Sequence, residues 1–295
     1  MRLLVIGASE TNRRRPPSFG EEVNLSWAQE LEANTAVLGQ WPTFLMHYLD
    51  AEAEGIPFPE AADLTEHGRG LYLYDRGAIY RSRHSTLWNV AMPGAITRSC
   101  AFYLKAHMER FQAFAPDAIV ICVGSVDCLE HRMIRTTADM SEPGPISAMA
   151  EGQTITFEPC QSADEFESAL TSISEMLPLI RADARIVHLD IIRSRNRSRS
   201  LNAKLKSFSQ VIHGVSAQFG HRLVTHPYLD EATEAGIDQW LRTDDGHPTE
   251  AMNSQLAMQI LHHLLDMTPA AGSNTDFPVE TIDIADWSGR SKQCN

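Results

Sequence analysis

The chain has 295 residues, 43% hydrophobic and 21% charged, enough to bury a sizeable core and ordinary for a globular protein. Its formal net charge of −13 argues against a general binder of nucleic acid or anionic membranes, which would be basic overall. The apolar run in MRLLVIGASE stops at Gly7, too short for a signal-peptide core, and no stretch reaches transmembrane length. The five cysteines (Cys100, Cys122, Cys128, Cys160, Cys294) are scattered without a C-x-x-C pair, so reduced thiols, a cytoplasmic setting and no metal site are expected.

Short β-branched runs alternate with longer helical patterns, the mark of βαβ units and a mainly parallel sheet. The first strand is RLLVIG (2–7), and helices are expected over 24–33 and 41–54. LYLYDRGAIYRS (71–82) alternates about a D-R-G turn and reads as a hairpin inserted before the next core strand, STLWNVAMPG (85–94). A helix over 96–114 carries Ile96, Cys100, Tyr103, Leu104, Met108 and Phe111 at 3.6-type spacing. DAIVICVG (117–124) is almost wholly apolar, as a central strand covered on both faces must be. Residues 136–162 read as a long loop or lid, followed by helix 163–180, strand 184–192, helix 200–219, a short strand at 222–226 and a last helix from Pro248 to 266. The remaining 267–295 form a polar tail, and with no repeat and no break in composition one domain over 1–266 is expected.

In an open α/β sheet the chemistry sits in loops beyond the carboxyl ends of the strands. Those loops carry Gly7-Ala8-Ser9, Asn89 to Gly94, Gly124-Ser125-Val126-Asp127 and, before the last helix, Asp244-Asp245-Gly246-His247. A serine nucleophile needs a base for its proton, a carboxylate to orient that base and donors for the oxyanion. Asp244, three residues before His247, has the spacing to accept from one ring nitrogen while the other faces Ser9; Asp245 or Thr249 is then left as the helix cap. Taken singly, Ser9 is as readily a helix cap and Gly94 a turn glycine.

Together, in this order, the four segments resemble the SGNH (GDSL-type) hydrolases. The resemblance implies a three-layer α/β/α, flavodoxin-like fold and serine-dependent acyl transfer without a cofactor. It makes Ser9 the nucleophile, His247 the base, Asp244 its orienting acid, and the N–H groups of Ser9 and Gly94 oxyanion donors. Two positions depart from the family pattern. Ala8 replaces the usual aspartate, and Val126 stands where the family places an asparagine that donates to the oxyanion; losing one such donor costs roughly 10²–10³ in rate. GSVDC also resembles a subgroup whose third block has the form G-(I/V)-V-D-C, in which the valine is a group feature.

Arg13-Arg14-Arg15, Arg132 with Arg135, and Arg193, Arg195, Arg197 and Arg199 each follow a strand expected to point at this site. Such a rim suits carboxylate or phosphate. Arg13, Arg132 and Arg135 are therefore expected to bind a small anionic substrate, with an acyl-CoA or an acyl-carrier protein as alternative donors of the acyl group; Asp127 is grouped with them at the site, and by itself reads as a cap or anchor of its own loop. The competing expectation is a non-catalytic binder of anionic ligands on the same fold. A flavodoxin-like nucleotide site is disfavoured, because the loop after the first strand lacks a glycine-rich phosphate cradle.

Overall fold

A computed structural model describes residues 1–8, 40–58, 71–74, 77–91, 94–129, 147–150, 153–194, 198–227, 229, 236–242 and 246–265. Five strands run parallel: β1 (Arg2–Gly7), β4 (Thr86–Asn89), β5 (Ala118–Cys122), β8 (Arg185–Leu189) and β9 (Arg222–Val224). Their order in space is β4-β1-β5-β8-β9. The hairpin β2 (Leu71–Tyr74) and β3 (Gly77–Arg81) adds antiparallel to the β4 edge and brings the sheet to seven strands.

Alternation along the strands builds two cores, one on each face. Leu4, Ile6, Ile119, Ile121 and Ile186 pack with residues of α2 (Thr97–Ala106), α3 (Met108–Phe114), α5 (Ala163–Ile180) and α6 (Arg199–Phe219). Leu3, Val5, Val120, Val187 and Leu189 pack against α1 (Trp41–Glu54) and α7 (Glu250–Leu265). Period-2 burial on both faces is what a parallel sheet between two helical layers requires. The layers are therefore α/β/α, as the sequence predicts.

Several boundaries differ from expectation, each for a local reason. The helix expected over 96–114 is two helices, because His107 leaves helical geometry (φ −118°, ψ 20°) between α2 and α3. The redirected α3 lays Phe111 and Phe114 against Trp88, with ring centroids 5.1 and 5.4 Å away. β4 stops at Asn89, whose Oδ1 accepts the Ala91 N–H (3.1 Å), and β8 stops before Asp190, whose Oδ1 accepts the Ile191 N–H (2.8 Å). Short side-chain acceptors of this kind offer the backbone an alternative to the ladder. Within the expected loop 136–162, β6 (Ser147–Ala150) and β7 (Gln153–Thr156) pair as a separate two-stranded ladder. An E-G dipeptide beside T-I-T was the signal for it. The helix expected over 24–33 and the tail 267–295 lie outside the described residues.

Ala115, the residue that ends α3, has φ +47°. An L-residue there carries left-handed strain of roughly 1–2 kcal/mol, partly offset by glycine's greater unfolded freedom. Ala115→Gly is expected to raise unfolding free energy by about 0.5–1 kcal/mol, read from urea midpoints at constant m-value.

On the α6 side of β8, His188 (1% exposed) meets His221, Nε2 to Nδ1 at 2.9 Å, with the rings nearly parallel. One nitrogen must donate and the other accept, so the contact needs a neutral acceptor ring. Burial pushes the His188 imidazole down to about 3, with His221 adding to the effect, and burial pushes His221 down to about 4. Both folded values lie below the ordinary value near 6.5, so the unfolded chain binds more protons as the pH falls. Stability is fully present above about pH 6.5 and declines from there toward pH 4. His221→Asn, which does not titrate in this range, should flatten that decline in denaturation curves taken between pH 7 and pH 4.5.

Candidate active site

The chain passes from β1 outward to β4 and then returns across β1 to β5, so the connections diverge between β1 and β5. This is the switch point where open α/β sheets place ligands. The register sets Gly7 beside Cys122 and Val5 beside Asn89, so the loops leaving β1, β4 and β5 start side by side.

On the β1 loop, Ala8 is 1% exposed and continues the inward series of Leu4 and Ile6. The β4 loop turns on the Asn89 acceptor and reaches Gly94, whose φ of +76° is left-handed, directly before α2. The start of α2 is fastened by Ser99, whose Oγ accepts the Ile96 N–H (3.1 Å). The β5 loop begins at Gly124 (φ +103°), followed by the single turn α4 (Ser125–Cys128).

Asp127 lies within that turn and is 0% exposed. Its Oδ2 accepts from the Thr97 N–H (2.9 Å) and the Thr97 hydroxyl (2.7 Å), and its Oδ1 accepts from the Cys160 N–H (2.9 Å). Lys204 donates to its carbonyl at 2.7 Å and stands over the Phe208 ring. Burial pushes the carboxyl upward, and the N–H groups of Cys160 and Thr97 with the Thr97 hydroxyl pull the other way.

The histidine loop arrives from the opposite layer. Arg185 donates to the Leu264 carbonyl (2.7 Å), which places the end of α7 at the start of β8 and hence its beginning at the carboxyl edge. Asn253 Oδ1 accepts the Trp41 N–H (3.0 Å), joining the first turns of α7 and α1. Before α7, Leu241 bridges Pro248, Arg242 N–H donates to the His247 carbonyl (2.8 Å), and Gly246 (φ +103°) makes the bend. Thr249 donates to the Gln239 carbonyl (2.6 Å) and accepts the Met252 N–H (3.3 Å), so Thr249 is the cap of α7. The His247 ring is partly buried, and its Nδ1 is closed off from solvent.

The sequence matches the family described as GDSL-like Lipase/Acylhydrolase over residues 3–260. The chain belongs to that family. As a GDSL-like hydrolase it is an enzyme of the acyl-hydrolase class. A comparison with curated proteins found none that matches. Among solved structures, it is similar to LAE5, an alpha/beta hydrolase enzyme from the metagenome of Lake Arreo, Spain (17% identity, TM-score 0.54, 89% of this chain and 94% of that one). It is also similar to Axe2, an acetylxylan esterase from Geobacillus stearothermophilus (18% identity, TM-score 0.50, 94% and 95%). At these identities the likeness is one of fold.

Of the residues expected to act in this GDSL-like hydrolase, the structure describes Gly94, Asp127 and His247, with Gly94 and His247 in loops at the carboxyl edge. Ser9, Asp244, Asp245, Arg13, Arg132, Arg135, Arg195 and Arg197 lie outside the described residues. Asp127, offered by the sequence both as a substrate ligand and as an anchor of its own loop, is buried against its Thr97 and Cys160 partners, which fits the anchor. Val126, in the place of the family's asparagine, is 4% exposed and packs in the core on the α5 side. Cys128 is likewise buried, and burial pushes the Cys100 and Cys160 thiols up to about 12, which makes them poor nucleophiles. Among the described residues, no cluster of His, Cys, Asp and Glu could hold a metal ion, and no helix is long and apolar enough to cross a membrane. Sequence reasoning missed Thr97, Cys160 and Lys204, which act through backbone contacts that no motif records.

Proposed function

We propose that this GDSL-like hydrolase cleaves a small, anionic acyl ester or thioester through Ser9, His247 and Asp244. The observation that carries this reading is that the end of β1, the left-handed Gly94 turn and the loop of His247, whose Nδ1 is closed off from water, all belong to the carboxyl edge of the sheet. Ser9 Oγ attacks the acyl carbon as His247 Nε2 takes the hydroxyl proton, and Asp244 steadies the imidazolium from the Nδ1 side. The oxyanion is held by the N–H groups of Ser9 and Gly94. Collapse of the tetrahedral adduct expels the alcohol or thiol, which receives the proton from His247. Water attacking the acyl-enzyme, with His247 again as base, completes hydrolysis; an alcohol or amine in its place gives acyl transfer. An acyl-CoA or acyl-carrier protein fits the donor role if the arginine runs, including Arg13, Arg132 and Arg135, form the rim.

The test is turnover of 4-nitrophenyl acetate by the wild type and by Ser9→Ala and His247→Ala. Hydrolysis that both substitutions abolish supports the reading, and hydrolysis indifferent to both removes it. Val126, buried and without a donor, favours a second reading, a binder of anionic ligands that has lost catalysis. Thermal stabilisation by acyl-CoA or phosphorylated sugars that survives Ser9→Ala, without turnover, would support that alternative.

A further inference from the structure

We propose that Asp127 is a positioning residue that holds the Gly94 N–H in place for the oxyanion. This rests on the reading of Gly94 as a donor. Gly94 lies in a short connection whose two ends are both fixed. Upstream, Asn89 Oδ1 holds the Ala91 N–H at 3.1 Å. Downstream, Ala95 and Ile96 are buried, and Thr97 is gripped twice by Asp127 Oδ2, at 2.9 and 2.7 Å. The second grip joins the Gly94 turn to the loop of β5, the neighbour of the strand that leads to Ser9.

The chemistry at this point calls for a carboxylate. Two N–H groups and a hydroxyl converge on it, and an acceptor with two oxygens is the side chain that can meet donors on both sides. An asparagine would turn an NH2 group toward one of them. The carboxyl also lies at the first turn of the ten-residue α2, whose N–H groups have no partner within the helix and favour an oxygen acceptor there. Through Cys160 and Lys204 the same residue is tied to the segment before α5 and to α6, so the clamp is braced from two further directions. A donor misplaced by about 1 Å can cost up to 10²-fold in rate, so the grip on Thr97 bears on turnover as well as on folding.

The test compares wild type, Asp127→Asn and Thr97→Val by kinetics with 4-nitrophenyl acetate and by the backbone amide resonance of Gly94. Arg181→Ala, which breaks an ion pair to Asp117 (2.6 Å) near the opposite end of the sheet, is the control for lost stability alone. All are measured where circular dichroism shows them folded. In Asp127→Asn, kcat is expected to fall about 10- to 100-fold with KM within about twofold, and the Gly94 resonance to move. Thr97→Val should show the same pattern at about threefold or more, while Arg181→Ala leaves kcat and the resonance unchanged. A folded Asp127→Asn with wild-type kcat and an unmoved Gly94 resonance overturns the proposal. If that variant does not fold, the same result in Thr97→Val overturns it. A Gly94 resonance that moves in Asp127→Asn while the wild type shows no turnover would instead remove the esterase reading and leave the positioning of the Gly94 N–H in place.

Discussion

His247→Ala is expected to lower kcat for an acetyl ester by roughly 10⁴–10⁶-fold, the largest functional effect predicted for any single residue here. In the proposed mechanism the imidazole serves twice in each half-reaction, first taking a proton from the attacking oxygen and then delivering it to the departing one. Without it, Ser9 attacks as a neutral hydroxyl. Asp244→Asn should cost less, roughly 10³–10⁴-fold, because it disturbs the orientation and tautomer of the ring while leaving the base present. The shielding of His247 Nδ1 favours this ranking, since a nitrogen away from water is not oriented by solvent. KM should move little in either variant, because in the proposed mechanism both groups act on proton transfer and not on the ground-state substrate. Steady-state kinetics on the two variants, with stability checked in parallel, measures the order directly.

Gly124→Ala is expected to destabilise the fold by about 2–5 kcal/mol, the largest structural effect. Two costs add at this position. Its φ of +103° is open to glycine and strained for alanine. A Cβ would also stand 2.7 Å from Phe166 Cζ and 3.1 Å from Ile191 Cδ1. A ring tip can sometimes swing aside, but Phe166 is 0% exposed and stacked on Phe208 at 4.3 Å with 6° between the planes. The strain therefore passes into the β5 loop that carries Asp127. Chemical denaturation gives the stability loss, and kcat measured well below the unfolding midpoint should fall as well, because the Thr97 grip shifts with the loop.

The family was legible because its chemistry is local in sequence. Four short segments, each at the end of a strand, could be recognised without knowing how the strands pair. The parallel sheet was legible for a related reason, since runs such as AIVIC are buried on both faces and leave no polar side to suggest another arrangement. What escaped was set by contacts across the chain. The break at His107 turns α3 so that Phe111 and Phe114 meet Trp88, a contact between segments well separated in sequence. The β6–β7 ladder is a weak hairpin signal inside a segment rich in loop residues. The partners of Asp127, Thr97 and Cys160, lie 30 and 33 residues away, so no local pattern shows which donors its carboxyl meets. Thr249 as the cap of α7 settles one of the two alternatives for that role.

The proposed function requires Ser9 to be an activated nucleophile. Reaction of the wild-type protein with a fluorophosphonate probe, followed by peptide mass spectrometry, tests it most directly. A covalent adduct on Ser9 is expected, forming far more slowly in His247→Ala. A folded wild type that carries no adduct on Ser9, or one that labels equally fast without His247, would contradict it.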